Sequence, residues 1–201
     1  MLSEQLPSQI QVGRNITVFH SKYKINNHSH STHRRYFLSR CWDSSLPTMT
    51  FFGMNPSIAS SCSNDPTVEF MMEVAKHNKC GSLYVVNTGP FIRTKEADEP
   101  DFVVDDEAWK YIKFAVSQFE IAVLAWGKSG QKWGIPTLSS HYPLRTFLAT
   151  NLRKLRAFEF GRLNKRIKFP KHPLQRKNGF KEDHKLLTLD LDDINALIPH
   201  S

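Results

Sequence analysis

The sequence predicts an α/β fold: a three-layer sandwich in which a central, mostly parallel four-stranded sheet carries helices on both faces, with a short N-terminal hairpin. Short apolar runs rich in β-branched and aromatic residues, at 49–52, 83–86 and 121–126, alternate with amphipathic stretches of helical period. The segments between them are long enough for the helical crossovers that parallel strands require. A length of 201 residues suits one domain with a full-sized core, so 1–201 reads as a single domain with a loose end over 1–8.

Ile16–His20 reads as a short strand, and Arg35–Arg40 alternates as a second, hairpinned to the first. Between them His28, His30 and His33 fall in a polar loop whose spacing defines no metal site, so a flexible loop is favoured. The strand at Thr48–Phe52 breaks at Gly53 into Met54-Asn55-Pro56-Ser57. Gly53 permits close backbone approach and Pro56 biases Asn55 towards an extended conformation, so an amide is presented at the strand's carboxyl end. Ligands of open parallel sheets bind at that end. In Asn64-Asp65-Pro66-Thr67, Asn64 or Asp65 can cap a helix with Pro66 in its first turn, and Phe70, Met71, Val74 and Ala75 form its apolar stripe.

The next strand, Leu83–Asn87, again ends on an amide. The loop after it holds Arg93 and the acids Glu96, Asp98, Glu99 and Asp101, which suit solubility and the dipole of the following helix better than a metal cluster. That helix runs from about Asp105 to Gln118, with Trp109, Ile112, Ala115 and Val116 on one face. The strand Ile121–Trp126 leads into Gly127-Lys128-Ser129-Gly130. The first glycine of a phosphate-binding loop would fall at Ala122, which rules that motif out. Pro143 opens a helix from Leu144 to about Leu155, Ala157–Phe160 supplies a fourth strand, and Asp190–Ile198 a closing amphipathic helix.

No apolar run is long enough to span a bilayer, and the amino terminus lacks a basic region followed by an apolar core, so a cytoplasmic protein without membrane contact is expected. Cys41, Cys62 and Cys80 have no CxxC spacing, cannot all pair and are fewer than an iron–sulfur cluster takes. Reduced thiols, and neither metal nor cofactor, are expected. The net charge is +8, and it is unevenly spread. Residues 145–185 hold 13 Lys and Arg against three acids, which leaves the rest of the chain at −2. A solvated basic face explains such a segment on its own; on an otherwise balanced domain it also resembles the footprint of nucleic-acid binding.

Four pieces follow one another: a strand ending in GMNPS, a strand ending in Asn87, a strand ending in Trp126-Gly127, and the late loop FPKHPLQRKNGF. Their order resembles the uracil-DNA glycosylase superfamily. GMNP is similar to the first active-site motif of its single-strand-selective and mismatch-specific branches, which implies that Asn55 positions the hydrolytic water. VVNTGPFIRT is similar to the strand whose Asn reads the base edge, which implies base contacts by Asn87, with Gly53 and Met54 beside it. The histidine loop resembles the second active-site motif, implying that His172 contacts a flipped base and Leu174 fills the vacated stack. The Ser-Pro that usually precedes that Leu is missing. A closer resemblance is to an uncharacterised bacterial and phage family, a domain of unknown function, whose pattern matches RRYFLSRCW, the NPS followed by DPT, AWG and PKHPL. That likeness implies no activity.

Hydrolysis of an N-glycosidic bond develops positive charge on the sugar and negative charge on the leaving base, so it needs a held water on one side and a donor on the other. Asn55 can hold the water through its carbonyl, Asn87 can read the base edge, and His172 can donate to the base. Asp65 is the alternative general base, and a helix cap at least as readily. Lys171, Arg176 and Lys177 can hold phosphates. A second candidate, His141 in His141-Tyr142-Pro143-Leu144, follows Trp126 too closely. The expectation is a monomeric, metal-independent DNA glycosylase that flips a damaged or modified base, with a pyrimidine favoured, from single- or double-stranded DNA. The alternatives are a non-enzymatic nucleic-acid-binding module of the same fold, and a nucleotide or nucleoside hydrolase in which Asp65 and the acidic loop hold a metal.

Overall fold

The computed structural model describes residues 17–20, 34–59, 63–93, 97–159, 162–163, 166–173 and 185–198. The expected loose end over 1–8, the three loop histidines, Cys62, Glu96, and Leu174, Arg176 and Lys177 lie outside the described residues.

The chain is α/β, and its sheet is larger and more mixed than the four strands expected. Strands β1 (Thr17–His20), β2 (Arg34–Cys41), β3 (Thr48–Gly53), β4 (Ser82–Asn87), β5 (Ile121–Ala125), β6 (Leu155–Phe158) and β9 (Leu186–Thr188) form one sheet in the order β1-β2-β4-β3-β5-β6-β9. The predicted parallel strands are its centre: β3 runs parallel to β4 and β5, and β5 to β6. Antiparallel strands flank them, β2 on β4 and β9 on β6. The expected hairpin, β1 with β2, therefore extends the sheet. The reason lies in β2, whose residues from Arg35 to Arg40 are all buried; its apolar side chains need cover, and its backbone completes the open edge of β4. A separate two-stranded ladder joins β7 (Arg162–Leu163) to β8 (Arg166–Ile167).

Period-two alternation along the central strands feeds two cores, one on each face. Met49, Phe51, Leu83, Val85, Val123 and Ala125 pack with helix α1 (Pro66–His77). Phe52, Tyr84, Val86, Ala122 and Leu124 pack on the other face with α2 (Asp106–Gln118) and with residues of the later helices. Both long helices begin as their sequences predict. Asp65 caps α1 by accepting from the Thr67 and Val68 N–H groups, and Asp105 caps α2 by accepting from those of Glu107 and Ala108.

The glycine-rich segment after β5 is helical, which the sequence does not suggest. Helix α3 (Gly127–Ser129) continues through a π-helical turn, Gly130–Gly134, into α4 (Ile135–Ser139). A Cβ on Gly134 would lie 2.5 Å from Thr88 Oγ1, and one on Gly130 2.7 Å from Trp126 Cβ, so close packing explains both glycines. Gln131 ties this turn to distant chain: it accepts from Trp126 Nε1 at 2.9 Å and donates to the Leu197 carbonyl at 2.6 Å, in α6 (Leu191–Leu197). Helix α5 (Leu144–Thr150) ends earlier than expected, where the Asn151 side chain donates to the Phe147 carbonyl at 2.9 Å. No helix among the described residues is long and apolar enough to cross a membrane.

From β3 the chain passes through α1 to β4 on one side; from β5 it passes to β6 on the other. The sheet's topological switch thus lies between the carboxyl ends of β3 and β5, where open α/β sheets bind ligands.

Candidate active site

Gly53 lies at the centre of the switch. It pairs with Asn87 across one ladder and with Ala125 across the other, so the ends of β4, β3 and β5 lie level on neighbouring strands, about 5 Å apart. A Cβ on Gly53 would meet Asn87 Oδ1 at 2.8 Å; the missing side chain lets that amide lie against the end of β3. Asn87 is 7 % exposed, and its Nδ2 has no hydrogen-bond partner among the described residues. A buried donor in that state costs on the order of 1–3 kcal/mol unless something accepts from it.

The turn after β3 is stitched to the turn after β4. The Thr88 N–H donates to the Gly53 carbonyl at 2.9 Å, while the Gly89 N–H and Thr88 Oγ1 both donate to the Met54 carbonyl, at 2.9 and 2.8 Å. The Arg93 N–H donates to the Pro56 carbonyl at 2.9 Å. Met54 and Asn55 are half-buried. Asn55 Nδ2 donates to the Pro56 carbonyl at 3.1 Å, which leaves Oδ1 as the accepting end of the side chain.

On the β5 side, Gly127 has φ +67° and its N–H donates to the Pro170 carbonyl at 2.8 Å. A Cβ there would lie 3.2 Å from His172 Cβ. Pro170 and His172 therefore lie against the Trp126-Gly127 turn. Gly127→Ala is expected to cost roughly 1–2 kcal/mol from the left-handed backbone alone, read as a lower urea midpoint, and to displace the His172 loop as well.

His172 is half-buried, and desolvation pushes its imidazole down to about 4, opposed in part by the charge of Asp65. The ring is neutral at pH 7 and carries one N–H donor. Because the folded value lies below the ordinary 6.5, the unfolded chain takes up this proton first on acidification. The stability contribution is whole above pH 6.5 and is lost as pH falls towards 4. Thermal melts across that window should show a steeper decline for the native chain than for His172→Gln.

Asp65 caps α1, and its charge is felt at the histidine. Its Oδ1 accepts the two helix-start N–H groups at 2.9 and 3.0 Å; its Oδ2 is buried without a partner among the described residues, and its charge acts on both His172 and Arg35.

Arg35 was not singled out from the sequence, though a cation inside the apolar run of RRYFL is a signal in itself. It is 2 % exposed, and its Nη1 donates to the carbonyls of Ser57 at 3.0 Å and Ala59 at 2.6 Å. Its backbone N–H donates to the Pro90 carbonyl at 2.9 Å. One residue thus holds the segments after β3 and after β4. Burial lowers its guanidinium to about 10, partly offset by Asp65.

Asp101 is ion-paired with Arg93, whose Nε donates to it at 2.6 Å, and it also accepts the Asp98 N–H at 3.0 Å. Among the described residues no three His, Cys, Asp or Glu side chains are grouped to hold a metal. Half-buried Lys171 has its ammonium 4.6 Å from the centre of the Phe169 ring. His141 is exposed and shares a 2.8 Å hydrogen bond with Ser140 Oγ.

The structure therefore brings Asn55, Gly53, Met54 and Asn87 together at the adjoining ends of β3 and β4, and His172, with Asp65 acting on it, to the end of β5. No curated protein and no solved structure matches the chain. A model of the family described as "Protein of unknown function (DUF1643)" matches residues 35–174, a span that holds Arg35, the Asn55 turn, Asp65, Asn87, the Trp126-Gly127 turn and His172. With most of its length matched, the chain belongs to the DUF1643 family.

Proposed function

We propose that this protein is a DNA glycosylase that flips a damaged or modified base, a pyrimidine by preference, and hydrolyses its N-glycosidic bond. The observation that carries the reading is that the turn of Asn55, the amide of Asn87 and the loop of His172 come to one carboxyl edge of the parallel strands, at their switch point. The resemblance of the same pieces to the uracil-DNA glycosylase superfamily supports it, and so does the basic stretch 145–185.

In this mechanism Asn55 Oδ1 accepts a hydrogen bond from the water and aims its oxygen at the anomeric carbon. An amide is a poor base, so positioning carries more of the rate than proton removal. As the glycosidic bond lengthens, the neutral N–H of His172 donates to an oxygen of the departing base and stabilises its charge. Asn87 Nδ2 donates a hydrogen bond to the base edge, which offsets the cost of leaving that donor unpaired. Lys171, with Arg176 and Lys177, holds flanking phosphates.

Labelled single- and double-stranded oligonucleotides bearing uracil, mismatched thymine or modified cytosines, followed by alkaline scission of abasic sites, test the reading. Product from at least one of them is expected; none across the panel, with control enzymes active, overturns it. A non-catalytic nucleic-acid-binding module is the second reading. It is favoured by Asn55, an amide and so a poor proton acceptor where a general base would stand. It expects salt-sensitive binding without turnover.

A further inference from the structure

Three residues beyond Asn55, Ile58 is 65 % exposed. Single apolar side chains on a surface are ordinary, and Leu46 and Leu191 are also exposed. What sets Ile58 apart is the backbone that carries it. The Pro56 carbonyl is held by the Arg93 N–H, and the carbonyls of Ser57 and Ala59, immediately before and after Ile58, both end on the guanidinium of Arg35. Arg35 and Ala59 are each 2 % exposed, so the anchor lies inside the protein while the side chain between the two anchored carbonyls stands in solvent. A backbone held in this way has little freedom left to lose when its tip makes a contact.

We propose that Ile58 is a wedge that enters the base stack of duplex DNA beside the nucleotide drawn to Asn55, with Arg35 as the positioning residue that holds it out. The proposal rests on the DNA reading given above and gives Ile58, on the Asn55 turn, the part that the family resemblance gives Leu174. Extruding a nucleotide leaves a gap in the stack, and apolar side chains, Ile among them, open base steps by inserting between them. Ile58 has the chemistry and exposure for that, and it stands on the same turn as the residue assigned to the water. The net charge of +8 favours the approach of a phosphate backbone to the protein as a whole.

The test uses the full chain and duplexes carrying 2-aminopurine next to the target nucleotide, whose emission rises when its stacking is lost. The native protein should raise the emission. Ile58→Ala should lose most of that rise and weaken duplex binding about tenfold more than single-strand binding, whereas Ile58→Leu should keep both. The proposal is overturned by an absent rise with the native chain, by an equal rise with Ile58→Ala, or by equal losses on duplex and single strand. Because Ile58 lies at the surface, the variants should melt with the native chain, which separates this result from misfolding. Abasic-site formation on the same duplexes reads the reaction independently. Unstacking without base release keeps the wedge and removes the glycosylase; release that Ile58→Ala leaves unaltered keeps the glycosylase and removes the wedge.

Discussion

Asn55→Ala is expected to lower the rate of abasic-site formation by about 10²–10³-fold, the loss typical when one preorganised polar group is removed from a transition state. DNA binding should change far less. The side chain's Nδ2 is already engaged with the Pro56 carbonyl, so truncation removes a local bond and the water's acceptor rather than a phosphate contact. Single-turnover kinetics at saturating enzyme separate the two effects. Asn55→Asp keeps the shape and supplies a true proton acceptor, so it should hold or raise the rate. The contrast with Asp65 is informative. Asp65→Asn retains an oxygen to cap α1 but loses the charge that faces His172 and Arg35. If Asp65 rather than Asn55 handled the water, this variant would lose the rate and Asn55→Ala would keep it.

Arg35→Met should destabilise the fold by about 2–5 kcal/mol, the range for leaving two buried carbonyls without their charged donor. Two carbonyls, those of Ser57 and Ala59, lose their donor, and the buried carboxylate of Asp65 loses a neighbouring positive charge. For a chain of this length the melting temperature should fall by roughly 10 °C. Calorimetry checks the size, and a double-variant cycle with Asp65→Asn checks the cause: if the charges face each other as described, the two losses together should be smaller than their sum.

The parts of the fold legible in the sequence are those governed by local pattern. Short apolar runs bounded by turn residues placed β3, β4 and β5 within a residue at either end, and Asp65-Pro66 and Asp105 marked the starts of α1 and α2. The adjoining positions of Asn55 and Asn87 followed from amides at the ends of parallel strands. What could not be read depends on neighbours far away in the chain. The three-residue strand Leu186–Thr188 exists because the edge of β6 accepts it. Gly127, Gly130, Gly134 and Pro136 look like a loop by propensity, yet packing against Thr88 and Trp126 makes that segment helical. Arg35 looked like one more residue of a short strand. Its role depends on carbonyls 22 and 24 residues further on, which no local pattern announces.

The bridge from Trp126 through Gln131 to Leu197 gives the site a dynamic companion. Helix α6 has seven residues, and short peripheral helices open more readily than the strands beneath them. Opening of α6 would release Gln131 from Leu197 and leave the acceptor of the Trp126 indole less firmly held, next to the Gly127 against which His172 lies. Amide exchange in α6 and in the Trp126-Gly127 turn should therefore rise together.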